Sequence, residues 1–170
     1  MDIGLLACFD AMRRAGELPT DMQAKVSVMY PIANPAAARL LVDHGADTLN
    51  LVTDLSLAQI AAIRSVVDVP LDIYLESPDA NGGFVRLYEV AEIIRVGAPV
   101  YVKLGLSNAA NLYPSGTHIE GIAVAQSRER VRRARLALEL LEQSGFTATT
   151  SNPGAAGLAV PVPAASPARL

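Results

Sequence analysis

The 170-residue chain predicts an α/β fold on a parallel sheet, and three observations carry the prediction. Four short segments, Lys25–Tyr30, Thr48–Val52, Leu71–Glu76 and Val100–Gly105, alternate apolar and polar residues at the period of a strand. Amphipathic segments separate them, and such alternation implies parallel pairing through right-handed crossovers. The third observation is the polar parity itself. A doubly wound sheet has helices on both faces and near-continuous apolar strands. A barrel strand turns one face to helices and the other inward, where functional side chains emerge near the carboxyl ends. Four strands supply half of an eight-stranded wall. The chain is therefore expected to form a (βα)4 half of a TIM-type barrel over residues 1–145, the later part of a longer protein or a shortened homologue. A disordered Ala/Pro-rich tail is expected over residues 146–170.

Each element has a local cause. Ile3–Ala15 carries Leu5, Leu6, Phe9 and Met12 at helical spacing and stops at Gly16. After the first strand, Asn34 caps a helix that Pro35 opens and that runs through His44 to Gly45. Asp54 or Ser56 caps the next helix, to about Val67, and Val69–Pro70 leads into the third strand. Gly82–Gly83 makes a loop before a helix from about Phe84 to Val96, and Pro99 opens the fourth strand. Leu106–Gly121 is a long polar loop of a length that is often functional. A last helix spans Ile122–Gln143, with Arg128, Arg132 and Arg135 on a solvated face. Beyond Gly145 the chain is rich in Ala, Pro, Gly, Ser and Thr, with Arg169 its one charged side chain.

Composition narrows the function classes. A hydrophobic content of 51% suffices for a substantial core. No stretch approaches the length of a membrane span, and the first residues lack the basic region of a secretory signal, so a cytoplasmic protein without membrane contact is expected. A net charge of -3 gives no case for nucleic acid. Cys8 is the only cysteine, which excludes an intramolecular disulfide and a cysteine-based zinc cluster.

Split by parity, the strands gather chemistry on one side. Asp72, Tyr74 and Glu76 oppose Leu71, Ile73 and Leu75, and Tyr101, Lys103 and Gly105 oppose Val100, Val102 and Leu104. Thr48 and Asn50 oppose Leu49 and Leu51, and Lys25, Ser27 and Met29 oppose Val26 and Val28. Lys103, near the end of its strand, has the position of a Schiff-base lysine in barrel lyases, or of a lysine paired with Glu76 or Asp72. Glu76 closes the third strand and begins the acidic turn Glu76–Ser77–Pro78–Asp79, whose carboxylates can bind a divalent cation, serve as general base or hold a substrate amine. Asp72 lies about 13 Å below it at about 3.3 Å per residue, too far to share one ligand, and reads as structural. His118 and Glu120 in the long loop both face a site if that segment is extended, but do not complete a zinc site. The expected site therefore has Glu76, Lys103 and His118 as catalytic residues. Asn50, Tyr74, Asn108 and Tyr113 are expected to bind substrate; no metal is assigned and no cofactor is identified.

Several runs also carry a resemblance. Gly45-Ala-Asp-Thr-Leu-Asn-Leu51, Leu57-Ala-Gln-Ile-Ala-Ala-Ile-Arg64 and Val69-Pro-Leu-Asp-Ile-Tyr-Leu-Glu76 are among them. Gly82-Gly-Phe-Val-Arg86, Pro99-Val-Tyr-Val-Lys-Leu-Gly105 and Tyr113-Pro-Ser-Gly-Thr-His-Ile-Glu120 are the others. Over about Lys25–Leu141 the sequence resembles the collagenase-like peptidases of unassigned catalytic type. The resemblance implies a barrel hydrolase acting on peptides. The histidine- and cysteine-containing signature of that family does not occur here, so no catalytic residue is carried over from it. Three readings follow: a peptidase-like hydrolase on a small-molecule or peptide substrate, a lyase or aldolase using Lys103 as a Schiff base, and a non-catalytic half barrel. The unpaired edges of four strands predict a homo-oligomer or a partner half-barrel.

Overall fold

A computed structural model describes residues 2–158. Its elements alternate as α1 (Ile3–Arg14), β1 (Lys25–Val26), α2 (Pro35–Asp43), β2 (Thr48–Asn50), α3 (Leu57–Arg64), β3 (Leu71–Glu76), α4 (Val90–Gly97), β4 (Val100–Leu104) and α5 (Glu120–Gln143). The four strands form one parallel sheet in the order β1-β2-β3-β4, so the protein is α/β with helices alternating with parallel strands. Among the described residues no helix is long and apolar enough to cross a membrane.

The apolar parity makes the core. Val26, Leu49, Leu51, Leu71, Ile73 and Leu75 are buried with Ala38 and Leu41 of α2, Ile60 and Ile63 of α3, Val90 and Ile93 of α4, and Ala137 of α5. Each Leu or Ile taken fully out of water contributes about 1.5–3 kcal/mol, so this layer is the main source of stability.

Caps set the helix starts. Asp2 accepts from the Gly4 N–H and Asn34 from the Ala37 N–H. Ser56, not Asp54, caps α3, because Ser56 and Gln59 form a reciprocal capping box. At the amino ends of the strands the half-buried Arg64 donates to the carbonyls of Gly97, Val67, Val69 and Pro99, at 2.8–3.2 Å, tying α3 to the turns that enter β3 and β4. Burial pulls its guanidinium pKa down, and Asp68 opposes that shift.

The elements depart from the sequence reading where turns intervene. β1 ends at Val26 rather than Tyr30, because the Tyr30 N–H turns back to the Ser27 carbonyl and the Ser27 hydroxyl accepts from the Met29 N–H. β2 stops at Asn50 rather than Val52, although the Val52 N–H still reaches the Ile32 carbonyl at 3.5 Å. The expected helix from Phe84 begins later, with a 3-10 turn over Leu87–Glu89 ahead of α4. Gly82 and Gly83, both at positive φ, reverse the chain so that Val85 bridges antiparallel to Glu76. Helix α5 starts two residues earlier than expected, at Glu120.

Residues 146–158 contain no helix or strand, and the expected disorder over residues 159–170 lies outside the described residues. Ala148–Ser151 and Leu158 lie beside β4 and α5, where they line a cavity of about 760 Å³ with Val100, Val102, Leu104, Leu138 and Leu141.

Candidate functional site

The polar parity forms a second face, and its chemistry follows from register. Lys25 stands opposite Thr48, Asn50 opposite Asp72, Asp72 opposite Tyr101, and Tyr74 opposite Lys103. Paired residues of parallel strands point to the same side, so these side chains share one surface. Among the described residues none of the hydrogen-bond, ion-pair or cation–π partners found for Lys25, Asn50, Asp72, Tyr74, Tyr101 and Lys103 comes from a helix.

Lys103 is the centre of this face. Its ammonium lies 4.6 Å from the centroid of the Tyr74 ring. With the Asn50 amide oxygen turned toward it, Asn50 accepts from Lys103 Nζ at 2.8 Å and from the Val28 N–H at 3.3 Å. Both partners are neutral. Neither Glu76 nor Asp72 pairs with Lys103, so the ion pair weighed from sequence does not form.

Asp72 has a different partner. Its carboxylate is 1% exposed and pairs with Lys25, whose ammonium also lies 5.3 Å from the Tyr101 ring centroid. Among the described residues the second carboxylate oxygen, Oδ2, and the buried Thr48 hydroxyl have no hydrogen-bond partner. Burial and the nearby Asp72 charge push the Tyr101 phenol above its ordinary pKa. The Tyr101 hydroxyl donates to the Leu158 carbonyl.

Glu76 belongs to another environment. Between Tyr74 and Glu76 the register with β4 slips, so Glu76 pairs with Leu104 rather than extending the Tyr74–Lys103 row. Its fully buried carboxylate accepts at Oε1 from the Ser107 N–H at 3.1 Å and the Ser107 hydroxyl at 3.0 Å. Oε2 lies 3.2 Å from Arg133 Nη1 of α5, within ion-pair distance but not aligned as a hydrogen bond. Arg133 also holds Glu129, at 2.8 Å. This set ties the end of β3 to the loop after β4 and to α5.

The remaining expected site residues lie in the long loop. His118 is exposed within a 3-10 turn over Thr117–Ile119. Tyr113 is 84% exposed, and Asn108 is exposed, at φ 57°, with its N–H donating to Asp79. Of the seven expected residues, Asn50, Tyr74 and Lys103 are brought together. Among the described residues no group of three or more His, Cys, Asp and Glu is placed to hold a metal.

No family model and no curated protein matches the chain.

Sequence reasoning gave Lys25 and Tyr101 no role, although their parity put both on the polar side. It also missed Ser107 and Arg133, for which no local signal exists: their place beside Glu76 follows from the register slip and from the seat of α5. What the face offers chemically is an ammonium whose partners among the described residues are neutral, a tyrosine ring and a buried amide. Such a group stabilises negative charge on a substrate oxygen, the more so where water is excluded.

Proposed function

We propose that the chain is a barrel-type hydrolase with peptidase-like chemistry whose substrate lies on the polar sheet face. Lys103 meets an oxygen of the substrate, either a carbonyl that gains charge as it is attacked or the carboxylate of a peptide end. The observation that carries this reading is the pairing of Lys103 with two neutral groups, Asn50 and Tyr74, on a face where its neighbour Lys25 is already committed to Asp72. The Asn50 amide holds the ammonium in place, and the Tyr74 ring shields it from one side. Peptide as the substrate class rests on the sequence resemblance.

Screening the purified protein against a mixed peptide library, with Lys103→Met and Asn50→Ala alongside, tests the reading. Cleavage by the parent protein that Lys103→Met abolishes without loss of fold supports it. Cleavage that survives Lys103→Met at the parent rate overturns it.

The same uncommitted amine supports a second reading, a lyase that condenses Lys103 with a substrate carbonyl to a Schiff base and loses water. Borohydride reduction with a panel of small aldehydes and ketones separates the two. A reduced adduct mapped to Lys103 favours the lyase, and no adduct across the panel sinks it.

A further inference from the structure

The polar face holds a buried acceptor with no donor. Asp72 is 1% exposed and gives Oδ1 to Lys25, but among the described residues nothing donates to Oδ2. Buried polar groups in folded proteins are nearly always hydrogen-bonded, because losing water without gaining a partner is costly. The Thr48 hydroxyl, 3% exposed on the neighbouring strand, is also unpartnered among the described residues, yet a hydroxyl rotates and can either donate or accept. An ionised carboxylate only accepts. Oδ2 therefore needs an N–H or O–H, and Asp72 stands in register with Asn50, the residue that holds Lys103. We propose that this face binds the carboxyl end of a peptide at two points, its terminal carboxylate on the Lys103 ammonium and the adjoining amide N–H on Asp72 Oδ2. The inference rests on Lys103 as the group that meets a substrate oxygen, and it adds Asp72 as a second binding residue.

Charge selects the ligand. Lys25, Asp72 and Lys103 together give this part of the face one positive charge in excess, and a ligand with a single negative charge balances it. The donor on Asp72 must then be neutral, since an ammonium there would stand beside Lys25 and restore the excess. A carboxylate with a neutral N–H next to it is the end of a peptide or an acylated amino acid. A free amino acid does not fit, because its nitrogen is charged.

Spacing fits the same ligand. Asn50 and Asp72 pair across adjacent strands about 4.8 Å apart, and Lys103 Nζ lies 2.8 Å from the Asn50 amide oxygen. Lys103 and Asp72 thus flank Asn50 without forming an ion pair, and one amino-acid residue can touch both. Access to Oδ2 is past Lys25, whose side chain reaches Asp72 from β1 and is 53% exposed. Turning its stem outward opens the carboxylate to the face. A water on Oδ2 is the competing occupant, and it predicts no preference for ligands that carry the N–H.

Isothermal titration of the full-length protein with N-acetyl-alanyl-alanine and with N-acetyl-alanyl-lactate, in which an ester oxygen replaces the last N–H, tests the contact without altering the protein. The ester is expected to bind at least about tenfold more weakly, the loss of one hydrogen bond to a charged group. In Asp72→Asn, with folding checked by circular dichroism, that gap is expected to vanish, because an amide N–H group then takes the place of Oδ2. Lys103→Met reports on the carboxylate alone and is expected to weaken both ligands by the same factor. Equal binding of peptide and ester by the parent protein overturns the contact at Asp72; if both still weaken in Lys103→Met, the role of Lys103 stands while this inference fails. A gap that persists in folded Asp72→Asn overturns it as well, and where that variant does not fold the parent's own gap decides. Ligands that bind Lys103→Met as tightly as the parent overturn the two-point site through Lys103. Binding of neither ligand at millimolar concentration overturns both contacts.

Discussion

Replacing Glu76 with glutamine separates a structural carboxylate from a catalytic one. Removing one partner of a buried ion pair costs about 3–5 kcal/mol when the remaining charge is left alone. Two features lower that figure here. The Arg133 side chain is 29% exposed and keeps Glu129 at 2.8 Å, and a glutamine oxygen still accepts from Ser107. The expected loss for Glu76→Gln is therefore about 1.5–2.5 kcal/mol. Glu76→Ala also strands both Ser107 donors and opens a hole in a fully buried position, for a total of about 3–5 kcal/mol. Urea unfolding followed by circular dichroism reads both. With a slope of about 2 kcal/mol/M, Glu76→Gln lowers the midpoint by about 1 M and leaves the slope unchanged. A midpoint equal to that of the parent protein refutes the structural assignment, and loss of peptide cleavage at that unchanged midpoint returns Glu76 to the chemistry.

Three further outcomes follow from the geometry. Arg64→Met is expected to cost about 2–4 kcal/mol, since it strands several carbonyls that one guanidinium serves, and the loss is read by the same urea titration. Gly105→Ala puts a methyl group 2.6 Å from Pro78 Cδ and 3.0 Å from the Pro78 nitrogen, so a loss of about 1–3 kcal/mol in thermal or urea unfolding is expected. Hydrogen bonds from Arg132 and then Arg133 hold the Glu129 carboxyl down to about 2. A depressed folded-state pKa means that Glu129's contribution is fully present above the ordinary carboxylate range and is lost as pH falls from about 4 toward 2. Comparing the pH dependence of unfolding with that of Glu129→Gln across this window shows the difference, and identical profiles would remove Glu129 from the account.

The alternation of the sheet was legible because its cause is local. Leu71–Glu76 occupies the strand predicted for it, and the caps at Asn34 and Ser56 stand where their side-chain chemistry requires. The parity argument also brought Asn50, Tyr74 and Lys103 to one face, because a sheet in regular register carries its side-chain alternation across strands. Glu76 shows where that reasoning stops. It shares the parity of Asp72 and Tyr74, but one slip in register after Tyr74 takes its carboxylate to Ser107 and Arg133. The partner of Asp72 was missed for a related reason. Lys25 and Asp72 are brought together only by tertiary structure, through strands two places apart in the sheet. The loop residues Asn108, Tyr113 and His118 had no periodicity to place them, and their exposure depends on how the long segment rides over the ends of the strands.

The central claim is that the face around Lys103 receives the substrate. Backbone amide chemical-shift mapping of the isotopically labelled full-length protein, titrated with a mixed peptide pool, tests it most directly. The largest shifts are expected to cluster at Asn50, Tyr74 and Lys103 and to disappear in Lys103→Met. Shifts confined to the exposed loop at Tyr113 and His118, with the polar face unmoved, would contradict it.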